Sequence, residues 1–270
     1  MKIAISGKGG TGKTTFASVL ARLLAAEGRK VLAVDADPDA NLGAALGFDE
    51  EELKSLVPIS EMEELIAERT GTNDYAGSPS GSMGKFFKIN PRVDDIPDRF
   101  SIEKHGIKFL LMGKVETGGG GCACPANVVL KRVVSNLVIA RDEDVILDME
   151  AGLEHLGRGT AEMTDGIIVI VEPGERSIMT LQKIKPLAKD LNIKKISVVA
   201  NKIRSEDDVN FINSRLKDEE IFGIIHYSED AISADRNGLS PYDTCPHLRE
   251  EVNSILKKLH TIHLQDNCND

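Results

Sequence analysis

The sequence predicts an α/β fold, with a mostly parallel central sheet, helices on both faces and a single domain. Three observations lead there. Short apolar runs alternate with segments of helical period along most of the 270 residues. A glycine-rich stretch separates the first apolar run from the first helix, and carboxylates stand where two of the later runs end.

Residues 2–6 (Lys-Ile-Ala-Ile-Ser) form the first expected strand. Residues 14–29 follow as a helix with Phe16, Val19, Leu20, Leu23 and Leu24 at helical spacing, and Gly28 closes it as the C-cap region. Residues 30–34 (Lys-Val-Leu-Ala-Val) are the second strand and carry Asp35 and Asp37 to the sheet's C-terminal edge, where open parallel sheets bind ligands. Further strands are expected at 107–111, 144–147, 166–171, 195–200 and 221–225, with helices around 126–140, 177–190, 207–216 and 247–259. Residues 70–104 break the pattern: Gly, Ser, Pro and Asp crowd together, which reads as a mobile insertion. The domain is expected over residues 1–262, with a polar, frayed tail at 263–270.

Composition excludes several classes. A net charge of −10 argues against a dedicated nucleic-acid binder, which would carry a basic face. No apolar run approaches the roughly 18 residues needed to span a bilayer. Residues 2–5 run straight into the glycine loop, so a signal peptide is not expected. The expected compartment is the cytoplasm, with no membrane or nucleic-acid partner. There, four cysteines bind metal, react or pack more readily than they form disulfides.

The glycine stretch is Gly7-Lys8-Gly9-Gly10-Thr11-Gly12-Lys13-Thr14, followed by Thr15. Glycine, four residues, then Gly-Lys-Thr is the P-loop spacing, and it is specific when it follows a strand and opens a helix. Backbone N–H groups turn inward around a β-phosphate, the helix N-terminus favours its negative charge, and Lys13 neutralises the β and γ oxygens. The Thr14 hydroxyl is expected to coordinate Mg²⁺. The chain is therefore expected to be a P-loop NTPase that binds ATP and ADP.

Lys8 narrows the class. Lys-Gly-Gly-Thr-Gly-Lys-Thr resembles the deviant P-loop of the MinD, nitrogenase iron protein and arsenical-pump ATPase group. In that group the extra lysine reaches across a dimer interface to the partner's phosphates, so the resemblance implies a nucleotide-bridged homodimer. The remaining motifs fall in the same family's order. The stretch from Asp35 through Asp37 to Asn41 looks like a first switch; by resemblance Asp37 orients the attacking water and Asp35 stands near Mg²⁺. Residues 145–152 match a Walker B strand and second switch, in which Asp148 holds the Mg²⁺ shell and the Gly152 amide senses the γ-phosphate. Asn201-Lys202 resembles the pair that reads the purine; an Asn amide offers the donor and acceptor an adenine edge requires.

Four glycines precede Cys122-Ala123-Cys124-Pro125. Pro125 suits the first position of a helix, which sets both thiols at a helix N-terminus and favours the metal-binding thiolate. Two cysteines make half of a four-coordinate site. In a twofold-symmetric dimer the patch faces itself, giving four thiolates suited to Zn²⁺, Ni²⁺ or an iron–sulfur cluster. Two small buried hydrophobes, or a redox pair, are the alternatives. With residues 148–160 (Asp-Met-Glu-Ala-Gly-Leu-Glu-His-Leu-Gly-Arg-Gly-Thr), the whole set resembles the CooC/AcsF-type ATPases that mature the nickel enzymes carbon monoxide dehydrogenase and acetyl-CoA synthase. That resemblance implies that Cys122 and Cys124 bind nickel between subunits, that Zn²⁺ can take the same place, and that ATP hydrolysis gates delivery to one of those two clients. Two other readings stand beside it. An electron-transfer ATPase like the nitrogenase iron protein takes one cluster ligand from the second switch, and no cysteine lies in residues 148–160. A MinD/ParA-like positioning ATPase that attaches to membrane carries a basic amphipathic C-terminus, whereas residues 260–270 are short and acidic. Glu150, Cys245 and Cys268 have no assigned role.

Overall fold

A computed structural model of the chain describes residues 1–37, 39–71, 88–113, 125–140, 142–150, 164–193, 195–216 and 220–267. The chain begins with β1 (Lys2–Gly7), α1 (Lys13–Ala26) and β2 (Val31–Ala36). Three short or medium helices follow: α2 (Leu42–Leu46), α3 (Glu50–Lys54) and α4 (Glu63–Thr70). Next come α5 (Ile96–Phe100), β3 (Ile102–Lys104), β4 (Ile107–Leu111), α6 (Pro125–Ala140) and β5 (Asp144–Met149). The last part runs β6 (Gly166–Val171), α7 (Glu175–Asp190), β7 (Ile196–Ile203), α8 (Glu206–Arg215), β8 (Ile221–His226), α9 (Glu229–Arg236), α10 (Pro241–Thr244) and α11 (Pro246–Asn267).

The eight strands form one sheet in the order β3-β4-β2-β5-β1-β6-β7-β8, parallel except for the short edge pair β3–β4. β1 lies between β5 and β6, so the chain crosses over on both sides of it. Ligands of such sheets bind where the strand order reverses, at the carboxyl ends. That reversal puts the loop after β1 at the centre of the edge.

Both faces of the sheet are covered, and each face takes alternate residues of a strand. On one face Val145, Leu147 and Met149 pack with Val129, Val133 and Leu137 of α6 and Ile178, Leu181 and Ile184 of α7. On the other, Ile146 packs with Ile5, Ala33 and Ile168 under Phe16, Val19, Leu20 and Leu24 of α1 and Leu248, Val252 and Leu256 of α11. Asp35 and Asp148 have the parity of Ala33 and Ile146. They therefore turn toward the α1 face, behind the glycine loop.

Two sequence readings are corrected. Residues 88–104 contain two elements that the sequence reading did not place, α5 and β3, and Val93 and Ile96 are buried in the core. Residues 72–87, the rest of the expected insertion, lie outside the described residues. The C-terminal helix does not stop at 259 but continues to Asn267, so the expected tail is largely helix.

Candidate nucleotide site

The loop between β1 and α1 is held from below and from the side. Gly7 passes so close to the Ile170 carbonyl that any β-carbon there would collide with it. The Thr11 hydroxyl donates to the Lys8 carbonyl at 2.8 Å and closes the turn from inside. Gly12 has φ +92° and sits against the Asn201 amide, in a conformation and space that only glycine tolerates. Asn201, near the carboxyl end of β7, donates Nδ2 to the Thr11 carbonyl at 2.7 Å and accepts the Lys202 N–H at 2.8 Å. One amide hydrogen and one lone pair then remain for another partner. The Lys202 ammonium donates to the Gly10 carbonyl.

Lys13 is buried, with its ammonium 3.8 Å from Asp37 Oδ2. Asp37 accepts the Asp39 N–H at 3.1 Å, which fixes its carboxylate at the rim of the loop. Beneath it, Asp35 and Asp148 are cross-strand neighbours in the β2–β5 ladder, and both are fully buried. Asp35 accepts the Leu42 N–H at 2.9 Å and the Asp37 N–H at 3.1 Å. Burial pushes its carboxyl up to about 6, against the pull of those two donors. Burial and the neighbouring Asp35 push Asp148 up to about 7, even though the nearby Thr14 hydroxyl and Lys13 favour its charged form. Neither Asp148 oxygen is in hydrogen-bond geometry with any partner among the described residues.

Two adjacent buried carboxylates, one with both oxygens unmatched, sit beside a threonine hydroxyl at a P-loop. This is a hard oxygen donor set of the type that holds Mg²⁺ through one or two carboxylates plus substrate phosphates. Asp148, Thr14 and Asp35 therefore fit the cation that nucleotide chemistry requires.

A cavity of about 550 Å³ opens over this edge, within the range of small-molecule sites. Gly9, Gly10, Gly12, Lys13, Thr14 and Thr15 form its floor, with Asp37 and Asn41 on one side and Asn201 and Lys202 on the other. Its far wall was missed by sequence reading: Tyr227, Ser228, Ala231 and Ile232 from the start of α9, with Leu239 and Pro241 beyond it. The signal was available, since this segment leaves the carboxyl end of β8, the same edge that singled out Asp35. Tyr227 is braced by the Arg204 guanidinium stacked 3.7 Å from its ring centre. Arg22 supports Pro241 from behind: it donates to the Leu46 carbonyl and to Asp243, and stacks on Tyr242. Gly152, Cys122 and Cys124 lie outside the described residues.

Residues 2–242 match the CobQ/CobB/MinD/ParA nucleotide binding domain model. The chain belongs to that family. Within it, the chain is 45% identical, over 96% of both lengths, to the carbon monoxide dehydrogenase accessory protein CooC of Rhodospirillum rubrum. It is 44% identical to an uncharacterized ATP-binding protein of Methanocaldococcus jannaschii, over 94% of this chain and 96% of that one. Among solved structures, a ParA family ATPase from Chlorobium tepidum superposes with a TM-score of 0.66 at 18% identity, covering 94% of this chain and 98% of its own. The fold is thus the family's P-loop α/β architecture, and the cavity lies at its nucleotide edge. No helix among the described residues is long and apolar enough to cross a membrane.

Proposed function

We propose that this chain is a cytoplasmic ATPase that serves as a nickel-delivery accessory protein for carbon monoxide dehydrogenase or acetyl-CoA synthase, acting as a nucleotide-gated homodimer. The observation that carries this reading is the 45% identity to a carbon monoxide dehydrogenase accessory protein along nearly the whole of both chains. The described P-loop edge stands beside it.

ATP lies along the cavity with its phosphates in the loop. The loop amides and Lys13 hold the β and γ oxygens, and the far wall around Tyr227 and Ser228 receives the nucleoside. Asp148, Thr14 and Asp35 hold Mg²⁺, which supplies charge neutralisation on the phosphate oxygens. Asp37 orients water for in-line attack on the γ-phosphorus and accepts its proton, as the bond from that phosphorus to the β–γ bridging oxygen breaks to give ADP and phosphate. Lys8 reaches the partner's phosphates, so ATP draws two chains together.

Nickel is the cargo, held between subunits by Cys122 and Cys124 of each chain. The route from nucleotide to cargo is short in chain terms. The Met112 N–H donates to the Asp35 carbonyl at 2.9 Å, so the chain leaves for the cysteine segment directly beside the acidic pair. It returns through α6, which leads into β5 and Asp148. The Ser6 hydroxyl donates to the Glu150 carbonyl at 3.1 Å, tying the foot of the glycine loop to the start of the second switch. Loss of the γ-phosphate relaxes both switches and weakens the thiolate site.

The test is metal stoichiometry and oligomeric mass for the wild type, Cys122→Ser and Cys124→Ser, each with ADP and with a non-hydrolysable ATP analogue. One nickel per two wild-type chains, retained with the analogue, weakened with ADP and lost in both variants, is the expected result. Unchanged metal content in the variants removes the cargo assignment. Failure of the nickel-loaded protein and ATP to activate nickel-free carbon monoxide dehydrogenase and acetyl-CoA synthase removes the client.

A further inference from the structure

We propose that Glu172 holds Lys8 within its own protomer, and so sets the nucleotide and protein concentrations at which two chains close on ATP. The inference rests on the reading above in which Lys8 serves the partner's phosphates; nothing in that reading gives Glu172 a part.

Glu172 is the first residue after β6, one strand over from the glycine loop. Its N–H donates to the Ser177 hydroxyl at 3.1 Å, so the first turn of α7 fixes its backbone. Its two carboxylate oxygens go to two different lysines: Oε1 lies 3.0 Å from the Lys8 ammonium, and Oε2 lies 3.5 Å from that of Lys202. Lys202 is itself tied to the Gly10 carbonyl, and the Lys8 ammonium is 3.5 Å from the Gly9 carbonyl. Lys8 is thereby folded back over its own loop by an anion and a carbonyl of its own chain.

A lysine cannot donate to Glu172 at this distance and also extend across an interface. Its long stem and three donors let it exchange one anion for another at little steric cost. Closing the dimer therefore requires this ion pair to break, and a triphosphate supplies the denser negative charge that takes the ammonium over. The pair is about one-third exposed on the lysine side and one-quarter on the glutamate side. Partly buried pairs fall in the upper half of the range for surface ion pairs, about 0.4–1 kcal/mol, or about two- to fivefold in an equilibrium. A symmetric dimer must open two of them, so the factors multiply to about four- to 25-fold.

The experiment is sedimentation equilibrium of full-length protein with Mg²⁺ and a non-hydrolysable ATP analogue. It compares wild type, Glu172→Gln, Glu172→Asp, Lys8→Ala and Lys8→Ala combined with each Glu172 substitution. Glu172→Gln should dimerise about four- to 25-fold more tightly than wild type, and Glu172→Asp, which keeps the charge on a shorter arm, by less. Both gains should vanish in the Lys8→Ala background; a merely structural Glu172 would act alike with or without Lys8. If wild type dimerises in a Lys8-dependent way and Glu172→Gln is no tighter, the latch is refuted and the dimer reading stands. If wild type forms no analogue-dependent dimer, or Lys8→Ala forms it equally well, the dimer reading fails and the latch fails with it.

Discussion

Replacing Asp148 with Asn should make the metal-free protein more stable at pH 8, with a gain that shrinks or vanishes by pH 5. The ordinary aspartate value is 3.8, and burial beside Asp35 raises it to about 7. With a folded value above the unfolded one, the folded state binds the extra proton. The penalty is therefore absent below pH 3.8, grows as pH rises through the window, and is complete above pH 7. At about 1.4 kcal/mol per pH unit, the penalty reaches about 4 kcal/mol at pH 8 and about 1–2 kcal/mol at pH 5. An asparagine removes it at both pH values, less a constant cost of about 1–3 kcal/mol for its own unmatched amide. The constant cancels in the comparison, leaving about 2–3 kcal/mol more relative stabilisation of the variant at pH 8 than at pH 5. Urea unfolding of both metal-free proteins at the two pH values measures this directly. Mg²⁺ with ATP should then stabilise the wild type more than the variant. A stability difference that does not change between pH 5 and pH 8 would refute the assignment of a strained, unpaired carboxylate at this position.

Gly12→Ala should lower ATP affinity at least tenfold by calorimetric titration, because the new methyl meets the Asn201 amide in a left-handed backbone; a loss of about 1–3 kcal/mol in stability should accompany it. Asn201→Ala removes the tie to the Thr11 carbonyl, and should cost about 1–2 kcal/mol by thermal unfolding while loosening nucleotide binding. Arg22→Ala strips the support behind α10 and should lower stability by about 2–3 kcal/mol in chemical denaturation, with a smaller loss of nucleotide affinity because only the far wall shifts.

The parts of the fold legible in the sequence are those whose chemistry is local. β4 and β6 begin and end where their apolar runs do, and Pro125 opens α6 as a first-turn proline should. β3 was illegible because Ile102-Glu103-Lys104 is too short to show a period, and it exists only by pairing with β4. α9, with the sequence Glu-Asp-Ala-Ile-Ser-Ala-Asp-Arg, buries little beyond Ala234, so it carries no apolar stripe to read. In the site, glycine spacing announced the loop, since its constraint lies in consecutive residues. The bond from Asn201 to Thr11 spans 190 positions, and Glu172 reaches Lys8 across 164. Such contacts come from strand order, which no local pattern encodes.

The ladder that joins β2 to β5 runs unbroken from Val31 opposite Asp144 to Ala36 opposite Met149. Because successive side chains alternate between faces, a slip of one residue would exchange Asp148 for a hydrophobic neighbour while leaving the strand buried and paired. The molecule is thus sensitive to counting as well as to composition. Substituting the exposed Asp142, just before β5, should pass almost unnoticed. Deleting it tests whether the chain can keep its tally, and a folded protein that no longer responds to nucleotide would be the mark of a miscount.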